Sequence, residues 1–364
     1  MPNPLEERVA AEIHRRGPVP FSEVMALALD DDEHGFYATG GQAGRRGDFV
    51  TSPEVGPLFG AVIARAVDGW WRELGEPDPF VVIEAGAGRG MLAASVLRSP
   101  LTCAAALRYV LVERSAPQRA RHAERLSLES PAFAFAPNRA DDEDSGVAPN
   151  AAVGPIVVSM ASMPRVQGAA VVLANELLDN LPFDVLEQTG GAWQEVRIGV
   201  DDAGNLVEVL VPTTVDPGVA ADEGARVPQQ EVAARWVRDA CAAVDRVVAI
   251  DYIATTAELA SRPGWLRTYR GHERGGPPLD ALGTQDITAD VCVDQLPPPR
   301  RDAAQADWLR EQGIDELVED GAAIWEQRKS APDVAAIEAR SRATEVLALT
   351  DPAGLGAFRV LEWW

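Results

Sequence analysis

The chain has 364 residues, enough for two average domains or for one α/β domain with large additions. Its 46% hydrophobic and 24% charged content allows a sizeable core without covalent staples. A net charge of −23, from 33 Lys and Arg against 56 Asp and Glu, repels polyanions, argues against DNA or RNA as substrate and favours a basic partner.

Leu5, Val9 and Ile13, then Phe21, Val24, Met25 and Leu29, recur at helical spacing and predict helices over 5–16 and 21–29. The N-terminus has no continuous apolar stretch, and no run approaches the ~18 residues of a spanning helix. A soluble, cytoplasmic protein without membrane contact is expected. Residues 35–56 are Gly-rich and aperiodic, which predicts a loop, ordered by Phe36, Tyr37 and Phe49. Phe59, Val62, Ile63, Ala66, Trp70 and Trp71 predict a helix over 58–74.

The stretch 80–135 is the most legible. A short apolar run, FVVIEAG, suits a strand buried on both faces, and the helix after it is stopped by Pro100. A second buried strand over 108–113 and a helical stretch over 116–126 follow. This β-α-β-α alternation implies a parallel sheet. Residues 136–155 are a polar surface excursion, and 169–176 and 246–252 read as further buried strands. WQEVRIGV and LVEVLVP alternate about the turn 201–205 and predict a β-hairpin inserted into the core. Beyond residue 253, helices are expected at 304–312 and 333–349 and a last strand within 356–364.

Glu84-Ala85-Gly86-Ala87-Gly88-Arg89-Gly90 ends a buried strand and opens a helix, where sheets of this type bind ligands. Glycine lets the backbone turn sharply and the ligand approach without a Cβ in the way. The spacing is G-x-G-x-G; the dinucleotide fingerprint puts its third glycine one residue later, where this chain has Met91. That favours S-adenosylmethionine over NAD. Glu113 ends the next strand, where a carboxylate can accept hydrogen bonds from both ribose hydroxyls. Glu84, two residues before the first glycine, is placed to meet the amino-acid end of the cofactor. A Gly-rich turn alone is common, and an acid can simply be a solvated strand end. Strand, glycines, helix, strand and acid together rarely coincide.

The cysteines (Cys103, Cys241, Cys292) are odd in number and far apart, which suits a reducing compartment. His14, His34, His122 and His272 form no metal-ligand spacing and read as ordinary surface or pocket residues; no metal site is expected.

The motifs Gly35-Phe36-Tyr37, Gly47-Asp48-Phe49-Val50-Thr51-Ser52-Pro53-Glu54 and Asn175-Glu176-Leu177-Leu178-Asp179-Asn180-Leu181-Pro182 stand beside the glycine loop, with Ile250-Asp251-Tyr252 and Gln285-Asp286-Ile287-Thr288 further on. On these strings the chain resembles the MidA-type methyltransferases, bacterial relatives of the mitochondrial complex I assembly-factor arginine methyltransferase. Ala87 departs from the proline of many relatives. The resemblance implies an α/β, Rossmann-like class I methyltransferase core with an N-terminal extension and inserted substrate-facing elements. Residues 1–76 would be the extension, 77–199 the first part of the core, 200–240 an inserted hairpin and loop, and 241–364 the remainder, with a substrate-facing insertion at about 260–330. It also implies that Thr51, Ser52 and Glu54 wall the cofactor and substrate, although Asp48 and Ser52 could instead cap the helix starting near Pro53–Pro57.

Methyl transfer from a sulfonium is an in-line displacement, so positioning supplies most of the acceleration. Asn175 and Glu176 end a predicted strand, where this fold places acceptor-facing polar groups. A carboxylate fork would hold a guanidinium, with Glu176 the first choice and Asp179 the second, while Asn175 orients acceptor or cofactor. Asp179 could alternatively cap a short helix before a plain turn. Tyr269, Arg270 and His272 could gate the pocket; His272 is a conceivable base, or a solvated loop residue. The leading expectation is methylation of a protein arginine, on a respiratory-complex subunit if the resemblance extends so far. A small-molecule methyltransferase, a non-catalytic assembly chaperone and, more remotely, an NAD-dependent oxidoreductase are the competing readings.

Overall fold

A computed structural model describes residues 3–41, 51–135, 154–166, 168–271 and 273–364. The chain divides into two compact units, one of Met1–Val50, Glu176–Asp239 and Asp251–Pro299, the other of Thr51–Asn175, Ala240–Ile250 and Arg300–Trp364. Each is built from several chain segments.

The second unit is organised by a seven-stranded sheet: β1 (Phe80–Ala85), β2 (Leu107–Val112), β3 (Ile156–Met160), β4 (Ala170–Asn175), β5 (Arg246–Asp251), β6 (Arg301–Ala304) and β7 (Arg359–Trp363). Their order across the sheet is 3-2-1-4-5-7-6. β3, β2, β1, β4 and β5 run parallel to one another, and β6 runs antiparallel to β7. Every residue of β1 and β2 is buried, as expected of a sheet covered on both faces. Helix Pro57–Glu73 packs Leu58, Phe59, Val62, Ile63, Val67 and Trp70 into the same core as Phe80, Val82, Leu107 and Tyr109. The strand order reverses at the β1–β4 pair, and it is beyond the carboxyl ends of such strands that open α/β sheets bind ligands.

The first unit carries an antiparallel sheet of Val19–Pro20, Ala192–Val200, Asp184–Thr189 and Arg226–Gln229 in that order, with Leu206–Pro212 also paired to Ala192–Val200. Helices Pro4–Arg16 and Phe21–Asp30 fill its core with Leu5, Val9, Phe21 and Met25 against Phe183, Val196 and Ile198. The expected hairpin is present with its turn, but it belongs to this sheet and not to the parallel core. The reason lies in its pattern: Leu206–Pro212 buries no residue fully, which suits a sheet with one solvated face rather than a doubly covered one.

The stretch 35–56, expected to be loop, contains the helical turns Phe36–Thr39 and Ser52–Val55, and residues 42–50 lie outside the described residues. The helical stretch expected over 116–126 is split into Ala116–Ala120 and a 3-10 turn, His122–Glu124. Among the described residues no helix is long and apolar enough to cross a membrane, and no group of three or more His, Cys, Asp and Glu is placed to hold a metal.

Candidate active site

In the second unit the glycine loop leaves β1 at Ala85 and enters helix Met91–Arg98 with Gly90 as its N-cap. Gly86, Gly88 and Gly90 have φ of 70°, 52° and 74°, the left-handed region that a side chain strains to enter. The turn is tied down internally. Gly86 and Ala87 donate to the Val112 carbonyl at 2.9 and 3.1 Å, and Gly90 donates to Ala87 at 2.8 Å. Among the described residues a Cβ on Gly88 would meet nothing within 4 Å, and Gly86 is exposed, so one side of the loop is open to them.

Glu113 follows β2 directly. One of its oxygens accepts from the Gly88 N–H at 2.9 Å and the other from the Ser115 N–H at 2.7 Å. Glu84 lies within β1 and is buried; it accepts from the Tyr109 hydroxyl at 2.7 Å. Burial pushes its carboxyl up to about 7, against the opposing pull of that hydroxyl and of the Ala93 N–H. Tyr109 was not visible as a site residue, because in the sequence it is one more apolar position of a buried strand.

Thr51 and Ser52 are buried, and the Ser52 hydroxyl donates to Gln305 at 3.2 Å. Thr51, not Ser52, is the N-cap of the turn Ser52–Val55, with no side-chain capping bond. Glu54 is half-buried; desolvation raises its carboxyl while the charges of Arg89, from the glycine loop, and Arg125 lower it. Asp48 lies outside the described residues. Asn175 ends β4, one residue beyond Ala174, which is the register partner of Ala85. It thus stands at the same end of the sheet as the glycine loop. An open-sided glycine turn flanked by a carboxylate is a fitting cradle for a nucleoside with an amino-acid tail.

In the first unit four separate motifs meet in one buried hydrogen-bonded network. Asp179, Asp251 and Asp286 are 5%, 1% and 2% exposed. The Thr288 hydroxyl donates to Asp179 Oδ2 at 2.6 Å. Asp251 accepts from the N–H groups of Leu178 and Tyr252 at 2.8 and 2.9 Å. Asp286 accepts from the Tyr37 hydroxyl at 3.2 Å and from the Asn180 amide at 3.0 Å. Burial raises all three carboxyls, Asp179 to about 6 and Asp286 to about 7, with Asp251 well above the usual range under the added charges of Asp179 and Glu176. Arg267 pulls Asp179 down, but its guanidinium pairs with Asp290 and lies 5.4 Å from the Tyr252 ring centre. Asp179 Oδ1 is buried with no hydrogen-bond partner among the described residues.

Asp179 therefore caps no helix: it sits inside the 3-10 turn Leu178–Asn180 with its carboxylate on Thr288. Glu176 is half-buried and has φ 51°, an uncommon conformation for a non-glycine residue. Tyr269 lies in a strand, Arg267–Arg270, with the Arg274 guanidinium over its ring, while His272 lies outside the described residues. His122, expected to be an ordinary surface or pocket residue, is wholly buried against the glycine loop. Asp251, Asp286 and Tyr37 were visible only as motif letters; nothing local in the sequence indicated that they meet.

Residues 62–312 match a family described as "Putative S-adenosyl-L-methionine-dependent methyltransferase". A Drosophila melanogaster protein named "Protein arginine methyltransferase NDUFAF7 homolog, mitochondrial" is 32% identical over 54% of this chain and 45% of its own length. The chain thus spans under half of that relative. The Mus musculus protein named "Protein arginine methyltransferase NDUFAF7, mitochondrial" is 29% identical over 80% of this chain and 69% of its own. A Burkholderia thailandensis crystal structure, described as a COG1565 superfamily member and likely methyl transferase bound to S-adenosyl-homocysteine, superposes with a TM-score of 0.78 at 27% identity, over 100% of this chain and 94% of that one. The seven-stranded sheet with its open glycine turn and the match over residues 62–312 agree: the chain belongs to this family of S-adenosylmethionine-dependent methyltransferases.

Proposed function

We propose that the protein methylates a nitrogen of a protein side chain, an arginine guanidinium, in the cytoplasm, with a respiratory-complex subunit as the first candidate substrate. The cofactor supplies an electrophilic methyl group on a sulfonium. Gly86, Gly88 and Gly90, with Glu84, Glu113, Thr51, Ser52 and Glu54, would hold it. Glu176 and Asp179 would offer a guanidinium two carboxylates, matching its planar donors, and the Asn175 amide would orient it. A guanidinium that gains a methyl group must lose a proton, and a buried carboxyl raised to about 6, such as Asp179, is suited to take it at Oδ1.

The observation that carries this reading is a set of three buried carboxyls in one network, Asp179, Asp251 and Asp286, with Arg267 paired to Asp290 and Asp179 Oδ1 without a hydrogen-bond partner among the described residues. Burial disfavours their charged forms, and a guanidinium entering beside Asp179 would favour its carboxylate. The names of the fly and mouse relatives point the same way.

Mass spectrometry of Arg-bearing and Lys-bearing proteins incubated with the enzyme and cofactor tests the reading. Mass gains on arginine are expected, with Asp179→Asn slowing turnover by about a hundredfold while S-adenosylhomocysteine affinity holds within about threefold. Methylation confined to small molecules, or an Asp179→Asn variant as fast as the parent, would overturn it.

A further inference from the structure

His122 opens the 3-10 turn His122–Glu124 and has no exposed surface. Its Nε2 lies 2.8 Å from the Gly88 carbonyl oxygen and its Nδ1 2.8 Å from Ser159 Oγ, in β3. Its ring also packs below the end of the loop: a Cβ on Gly90 would come within 3.3 Å of His122 Cδ2. These contacts fix the tautomer. A carbonyl only accepts, so Nε2 carries the proton, and in the neutral ring the Nδ1 lone pair accepts from the Ser159 hydroxyl. Desolvation keeps the ring neutral, helped by Arg119 and Arg125 nearby.

Gly88 is thereby held at both of its polar groups. Glu113 takes its N–H and His122 its C=O, so two successive peptide planes of the loop are set by side chains from outside it. Glycine at φ 52° has many other conformations open to it. A loop free to sample them would lose that freedom on meeting a ligand, whereas a clamped loop has already lost it.

We propose that His122 is a positioning residue for the cofactor: through Nε2–H it holds the Gly88 peptide in the conformation that binds S-adenosylmethionine. It touches neither cofactor nor acceptor in this role and acts through the loop. The bond from Nε2 is the functional one, and the bond from Ser159 orients the ring.

Two amide substitutions separate this from general core packing. In His122→Gln the side-chain amide reaches the place of Nε2 and can donate to Gly88. In His122→Asn it reaches only the place of Nδ1, so the bond to Ser159 is kept and the loop loses its clamp. The experiment is calorimetric titration of the full chain with S-adenosylhomocysteine, with the thermal midpoint of each ligand-free variant alongside. His122→Gln is expected to bind within about twofold of the parent and His122→Asn about tenfold more weakly, even where their midpoints are equal. Ser159→Ala is expected to fall between them. Equal affinity of the Gln and Asn variants, or tighter binding by Asn, would overturn the proposal. A nitrogen-15 NMR spectrum showing the proton on Nδ1 would do the same.

Discussion

Asp251 and Asp286 are both buried in one unit, yet they should respond differently to substitution. Asp251 accepts backbone N–H groups on both oxygens, from Leu178 on one and Tyr252 on the other. An asparagine there would turn its NH₂ toward one of those donors, so Asp251→Asn should cost about 1–3 kcal/mol in chemical denaturation. Asp286 is informative through its pH dependence. Its folded-state carboxyl is raised to about 7, so its contribution to stability is present below about pH 4 and is lost as pH rises through about 7. Asparagine stays neutral throughout. The thermal midpoint of Asp286→Asn relative to the parent should therefore rise between about pH 5 and about pH 8; a constant or falling difference would contradict the assignment. At this scale the sequence discloses what is local. Glu84, the three glycines and Glu113 fall within thirty residues, in a strand–turn–helix–strand pattern that can be read without a structure. The Tyr37–Asp286 bond joins residues 249 apart, and no periodicity or spacing carries such a pair.

Helix Pro57–Glu73 shows how one element depends on another. It begins at Gly56, which has no side chain to cap it, and the carboxylate of Glu345, in helix Val334–Leu349, accepts from the Leu58 N–H at 2.8 Å instead. Ser341 donates to the other oxygen of Glu345. Glu345→Ala removes a cap and an anion from the positive end of a helix, and a loss of about 1–2 kcal/mol is expected on denaturant titration. An unchanged midpoint would show that water serves the N-terminus equally well. The same helix was legible because ten of its residues are buried at helical spacing. Helix Ile314–Arg328 escaped the sequence reading because only Ile314 and Gly321 are buried, which leaves no apolar stripe to detect. β3 is five residues long beside a polar stretch, and Val19–Pro20, Ile253–Ala254 and Val291–Cys292 are two residues each, a single period of strand alternation and so too short to show a pattern.

For the whole molecule, a net charge of −23 sets the terms of any encounter. An Arg-rich substrate would be drawn in by the long-range field, and that attraction is screened by salt. Affinity for a methylatable basic peptide should fall by about tenfold or more between about 0.05 M and about 0.5 M salt, followed by fluorescence anisotropy. Affinity for S-adenosylhomocysteine should change far less over the same range. The β-α-β-α alternation around the glycine loop implied a parallel sheet, and the class I core was implied by the resemblance of the motifs. The second unit was not separable in the sequence, because its chain segments interleave with those of the first. The central claim, that the turn Gly86–Gly90 holds the cofactor, is tested most directly by titrating the parent and Gly88→Val with S-adenosylhomocysteine in a calorimeter. A branched side chain at φ 52° would strain the turn and fill its open side, so saturable one-site binding by the parent and none by the variant is predicted. Equal binding by both proteins would contradict the account.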